Sequence, residues 1–157
     1  MRVMGHLYDQ DLVLWSEEQA QALREAAQHG CNAPMDREHV AEEIESLGRS
    51  ERNAVGSFLG LIIEHLLKLQ ASPASDPIRG WRDTVRRGRR DLEPRLKDSP
   101  SLRRDVPDMI VDEMTEARVL VRDKLKDHGE QPLIDLDQVS YTADQVLGDW
   151  LSDRSPR

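Results

Sequence analysis

DREHVAEEIESLGRSERNAVGSFLGLIIEHLLKLQ, residues 36–70, reads as one uninterrupted helix. The helix is expected to start at Asp36, no proline follows, and the apolar residues return with helical period. The stretch is about nine turns long at 3.6 residues per turn. On a wheel of about 100° per residue with Val40 at zero, Ile44, Leu47, Val55, Phe58, Ile62 and Leu69 fall within about 60° of one line. A helix of that length with one apolar stripe has to be covered by other helices, and that requirement sets the fold class.

Both flanks supply them. Upstream, a helix is expected from Asp9, as N-cap, to about Gln28, ended by His29-Gly30. Downstream, Ser72–Pro77 is a break. A helix from about 78 to 97 then carries Trp81, Val85, Gly88, Leu92 and Leu96 on one side, with Pro94 expected to kink or end it. Ser99-Pro100 restarts the chain as N-cap and first helical residue. The next helix reaches about Asp127 with a stripe of Leu102, Val106, Ile110, Met114, Ala117, Val121 and Leu125. Thr142 with Gln145 three residues on reads as a capping box for a short last helix. No stretch alternates as a strand. The expectation is an all-α antiparallel bundle of about four main helices plus a short C-terminal helix. It is expected as one domain over residues 8–151, with flexible ends at 1–7 and 152–157.

Composition narrows the function classes. The chain has 157 residues, a third of them charged, and a net charge of −8. That charge is unevenly spread. Residues 1–77 hold 13 acids and 6 bases, residues 105–157 the same numbers, and residues 78–104 hold 10 bases and 4 acids. The longest apolar run, Leu59–Ile63, falls far short of the ~20 residues of a membrane span. The N-terminus has no cleavage-site pattern of a secretion signal. Cys31 is the sole cysteine, which excludes an internal disulfide and a thiolate metal knuckle. These features point to a cytoplasmic protein with no membrane segment.

The punctuation also resembles a known family. Tyr8-Asp9-Gln10-Asp11 through Trp15, the block Glu42–Arg52 and His65-Leu66-Leu67-Lys68 are similar to a bacterial family called domain of unknown function 29. Trp81-Arg82, Asp98–Leu102, Ala117-Arg118 and Tyr141-Thr142 continue the match in the same order. The resemblance spans about residues 8 to 150 and implies a small all-helical bacterial protein with no activity to carry over.

Some charged residues sit where apolar ones belong. Glu51 and His65 fall inside the stripe of the 36–70 helix, and Glu113 lies on the edge of the stripe of its own helix. A charge directed at a core must be paired or neutralised. One reading is a divalent metal site, since inward Glu and His hold metals in bundles. Its candidate ligands are His65, Glu51, Glu113, His39 and Glu43. Glu51 and His65, about 21 Å apart along the helix at 1.5 Å per residue, are too distant to share an ion. His39 and Glu43 are one turn apart and need a third ligand. The other reading is a set of structural ion pairs, with Glu51 met by Arg49, Arg86 or Arg118.

Arg82, Arg86, Arg89 and Arg90 form a basic flank that could take an anion or a protein partner. Nucleic acid is disfavoured, because the chain is acidic overall and no exposed aromatics interleave the arginines. Gly56, Gly60, Ile63 and Leu67 form a second face of the long helix, where another backbone can approach or a second subunit can dock. No GxSxG, phosphate-binding glycine loop, HExxH or CxxC motif occurs. Three functions stay open. The first is an interaction or regulatory module that self-associates as a homodimer or binds a protein partner. The second is a metal-binding or metal-dependent hydrolytic bundle using His65. The third is an anion or nucleic-acid binder acting through the arginine-rich helix.

Overall fold

The long helix forms as its periodicity demands: α3 runs unbroken from Arg37 to Ala71. The computed structural model describes residues 5–30 and 34–152, so Cys31 lies outside it. The other elements are α1 (Gly5–Gln10), α2 (Leu12–Gln28), α4 (Ile78–Asp98), α5 (Ser101–Asp127) and α6 (Ala143–Leu147), with a 3-10 turn at Leu136–Gln138. Among the described residues there is no strand, and the protein is all-α with four long helices. These residues cluster into two compact units, a finer division than the one bundle expected over 8–151. One comprises the described residues of Met1–Val55 with Pro94–Arg104, the other those of Gly56–Glu93 with Asp105–Arg157.

In the first unit the helix start expected at Asp9 moves to Asp11. Asp9 lies inside α1, and Asp11, in extended backbone, caps α2 by accepting the Leu14 N–H at 2.9 Å. The same carboxylate accepts the Ser101 backbone N–H at 2.6 Å and the Ser101 hydroxyl at 2.9 Å, at the start of α5. Asp11 is buried, and three donors justify that. Gly5–Leu7, expected among the flexible ends, belong to α1, where Tyr8 meets Trp15 edge-on at 5.0 Å. Arg24 on α2 reaches Glu38 at 3.1 Å and Glu45 at 2.8 Å on α3.

The buried side of α3 in this unit is not the one the wheel selects. Val40 and Leu47 are exposed, while Ala41 and Gly48 are buried. The reason is contact distance: a Cβ on Gly48 would collide with the Ser16 hydroxyl of α2. Small residues face the neighbouring helix, and the larger ones that weight the wheel point outward. Pro94 does not end α4 either. The helix continues to Asp98 because buried Leu96 and paired Arg95 hold its last turn.

The second unit is built on the apolar half of α3. Leu59, Ile62, Ile63, Leu66 and Leu67 are all fully buried, covering more than one side of the helix. Val85 and Leu92 of α4 and the stripe Val106, Ile110, Met114, Ala117, Val121 and Leu125 of α5 are buried as predicted. Gly88 is needed where α4 meets α3, since a Cβ there would lie 2.9 Å from Ile62 Cγ1. α5 ends in a turn through Gly129 (φ 67°), in which the Glu130 N–H donates to the Leu125 carbonyl and the Gly129 N–H to that of Lys126. The chain then returns over α3. The Leu133 N–H donates to the Ala71 carbonyl, the Tyr141 hydroxyl to Gln70 Oε1 at 2.9 Å, and the buried Ser152 hydroxyl to the Leu66 carbonyl. Ser152, expected to be a flexible end, is therefore fixed. The Thr142–Gln145 capping box forms as read.

Judged by length and mean hydropathy rather than by its longest apolar run, α3 is apolar enough to cross a membrane. Half of that window is buried inside the protein, and Glu64 and Lys68 lie in the same half of the helix. A core helix has the same composition.

Asp11→Ala should lower the unfolding free energy by about 2 kcal/mol, since it removes a cap and strands buried donors. Ser101→Ala should cost about 1 kcal/mol. Urea denaturation of both single variants and the double variant should show that the two losses are not additive.

Candidate functional site

The inward carboxylate Glu51 does meet an arginine, but not an expected one. Arg95 of α4 donates through one nitrogen to both Glu51 oxygens, at 2.9 and 3.2 Å. Arg49 turns to Glu45 at 3.5 Å, Arg86 to Asp83 at 3.3 Å, and Arg118 donates to the Val139 carbonyl at 2.6 Å. The correct partner was readable. On a wheel of α4, Arg95 falls about 40° from Trp81, on the apolar side, so two charges on inward faces pair with each other.

The metal candidates are not brought together. His39 is exposed and holds Asp36 at 2.5 Å, which raises the imidazole above its ordinary value and lowers the carboxyl. Glu43 is exposed and gains no shared partner with His39. His65 is half-buried, with Nδ1–H donating to the Leu61 carbonyl at 2.9 Å, and burial lowers its pKa. Among the described residues no three His, Cys, Asp or Glu side chains converge.

The arginines of α4 divide. Arg89 is taken by the fold: it donates to the Val146, Gln145 and Trp150 carbonyls at 2.8, 2.7 and 2.6 Å. A cation at the end of α6 suits both the helix dipole and the free carbonyls. Arg82 is partly buried and engaged. Arg86 and Arg90 are exposed, their Asp83 and Asp91 pairs equally so, and such pairs hold a side chain weakly. Arg79 and Arg87 are exposed with no ion pair among the described residues. Arg79, Arg86 and Arg90 lie within about 20° of one line along α4.

The second face of α3 and the out-of-place Glu113 turn out to be one feature. Where Gly56 and Gly60 were expected to admit a backbone, they admit the Glu113 carboxylate. A Cβ on Gly56 would lie 3.1 Å from Oε1, and one on Gly60 would collide with Oε2. No group among the described residues donates a hydrogen bond to Glu113. Burial raises its pKa, and the nearby charges of Glu116 and Asp112 raise it further. It lines a groove of about 280 Å³ with Gly60, Leu61 and Glu64 of α3 and Glu116, Ala117 and Leu120 of α5.

The outer face of α5 continues this character. Asp108, Glu116 and Asp123 lie within about 40° of Asp112, and Val119 and Leu120 share that side. All four acids are exposed and unpaired among the described residues. Val119 and Leu120 are 51% and 47% exposed, and Leu61 across the groove 37%. The arrangement can receive cationic groups on long aliphatic stems, which satisfy both the acids and the apolar rim.

One cluster escaped the sequence reading. Glu64 Oε1 receives two ammonium groups, Lys68 Nζ at 2.6 Å and Lys124 Nζ from α5. Burial would raise the Glu64 carboxyl, but these bonds hold it below its ordinary range. The Glu64–Lys68 half was legible from its i,i+4 spacing. The Lys124 half needs the pairing of α3 with α5.

The model of the family described as domain of unknown function DUF29 matches residues 7–151. The chain belongs to this family. Its fold is similar to the crystal structure of an alpha-helical protein of unknown function from Rhodospirillum rubrum. The two share 27% identity with a TM-score of 0.69, over 89% of this chain and 88% of that one. A comparison with curated proteins returns no match.

Glu113→Gln should raise Tm at neutral pH, by roughly 1–3 °C for a chain of this size. The native carboxyl titrates above its unfolded value, so its ionisation costs stability only as pH rises through that raised value. The difference between variant and parent should therefore vanish near pH 4 and grow toward pH 7 in calorimetric scans.

Proposed function

We propose that this DUF29 member is an interaction module that pairs with a second copy of itself. The exposed α4 arginines of one copy meet the acidic, partly apolar face of α5 on the other, and the reverse contact closes a two-fold pair. The observation that carries this reading is the unpartnered Glu113 in its groove, beside a face whose acids have no counter-charge among the described residues and where Leu61, Val119 and Leu120 are exposed. The same chain carries the complementary charge on α4, at Arg79, Arg86, Arg87 and Arg90. Charge complementarity of this kind sets partner choice and orientation more than raw affinity. A chain one-third charged, with the apolar face of α3 in its own core, supports a site of action in the cytoplasm.

Sedimentation velocity should show a dimer that forms with concentration and weakens with salt. Asp112→Arg/Glu116→Arg and Arg86→Glu/Arg90→Glu should each be monomeric. Mixed together they should form a heterodimer, because both contacts regain opposite charges. A protein that stays monomeric at every concentration at low salt would sink the reading, as would variants that dimerise unchanged.

A further inference from the structure

A second cavity, of about 250 Å³, opens where the ends of α3 and α5 meet the start of α4. Its lining combines apolar Trp81, Pro77, Val121 and Leu125 with polar Lys68, Lys124, His128 and Glu130. Pockets with an apolar body and a few convergent polar groups are the usual form of small-ligand sites, and this one lies just below the ~300–1,000 Å³ range of drug-sized pockets.

The direct ion pairs at the polar end are uneven. Lys68 and Lys124 both bond the same oxygen of Glu64, so two cations share one anion. Lys68 is largely enclosed, with 13% of its side chain exposed, and cannot turn away into water. The Glu130 carboxylate also lines the cavity and brings a negative charge, but it accepts the Ser72 hydroxyl at 3.2 Å and forms no ion pair with either ammonium group among the described residues. His128 donates Nδ1–H to the Lys124 carbonyl at 2.7 Å, which leaves Nε2 as its free polar atom. The crowding of the two ammonium groups adds to burial in lowering Lys68.

We propose that this cavity binds a small aromatic carboxylate, its carboxyl group at Lys68 and Lys124 and its ring against Trp81 and Leu125. The carboxylate supplies a second direct anionic partner for the two ammonium groups, and a flat ring fits an indole wall better than a branched aliphatic chain does. The site stands apart from the α5 face assigned to self-association and does not rest on it.

The test is an NMR titration of the full chain with phenylacetate and with its neutral isostere phenylacetamide. The Trp81 indole N–H and the Leu125 amide should shift saturably with phenylacetate, and phenylacetamide should bind about tenfold more weakly. Lys124→Met should bind acid and amide alike, whereas Trp81→Leu should weaken both. Absence of a saturable shift at Trp81 and Leu125, or equal affinity of the native chain for acid and amide, overturns the proposal. Should Lys124→Met fail to fold, the acid–amide comparison on the native chain decides alone.

Discussion

The apolar second half of α3 is the constraint on which the rest of its unit depends. Leu59, Ile62, Ile63, Leu66 and Leu67 are buried on more than one side, so a single neighbouring helix cannot cover it. Fully burying one such side chain contributes roughly 1.5–3 kcal/mol, and leaving any of them in water forfeits that. α4 covers one side through Val85 and Leu92, at a distance that only Gly88 permits. α5 covers another through its long stripe. The returning C-terminal chain completes the cover, and Arg89 fastens it through three backbone carbonyls. The order of elements in this unit follows from the demand that one helix be enclosed.

That demand explains where charge goes. The basic segment of the sequence is spent unevenly. Arg89 and Arg95 are engaged within the fold, one with carbonyls and one with Glu51. Arg79, Arg86, Arg87 and Arg90 are left outside. On α5 the buried stripe takes the apolar residues, which leaves Asp108, Asp112, Glu116 and Asp123 together on the opposite side. Two opposed charged faces are thus a by-product of covering α3. What packing does not require is exposed Val119 and Leu120 among those acids, and these residues give the α5 face its claim to a partner.

Much of the fold was legible because α4 and α5 each have one stripe and one neighbour side. Every residue named in the α5 stripe is buried, and the Thr142–Gln145 box is a local signal read locally. The first half of α3 misled for a physical reason. A wheel weights hydrophobic bulk, and there the close contact is made by Gly48 and Ala41, which carry almost none. Glu51 does pair with an arginine, but its partner was sought on the solvent flank of α4 rather than on its apolar side. The Glu64–Lys68–Lys124 cluster and the Asp11–Ser101 bonds join residues 60 and 90 positions apart, and no local pattern announces them.

The glycine pair and Glu113 show how two weak signals become one strong one. Gly56 and Gly60 each cost about 1 kcal/mol of helix propensity, and a partly buried, unpaired carboxylate is costly in its own right. Apart, each would look like a defect to be explained by local packing. Together they are mutually dependent: the glycines make room for a side chain that gains no hydrogen bond by entering. Close packing alone would be better served by an apolar residue at 113, since Ala117 and Met114 beside it already bury well. The raised pKa lets a proton neutralise Glu113, and in the self-association proposed above an arginine of the second copy takes that place. The acids around it on α5 fit that proposal, because Asp112 and Glu116 beside an unpaired carboxylate raise the cost of its charge.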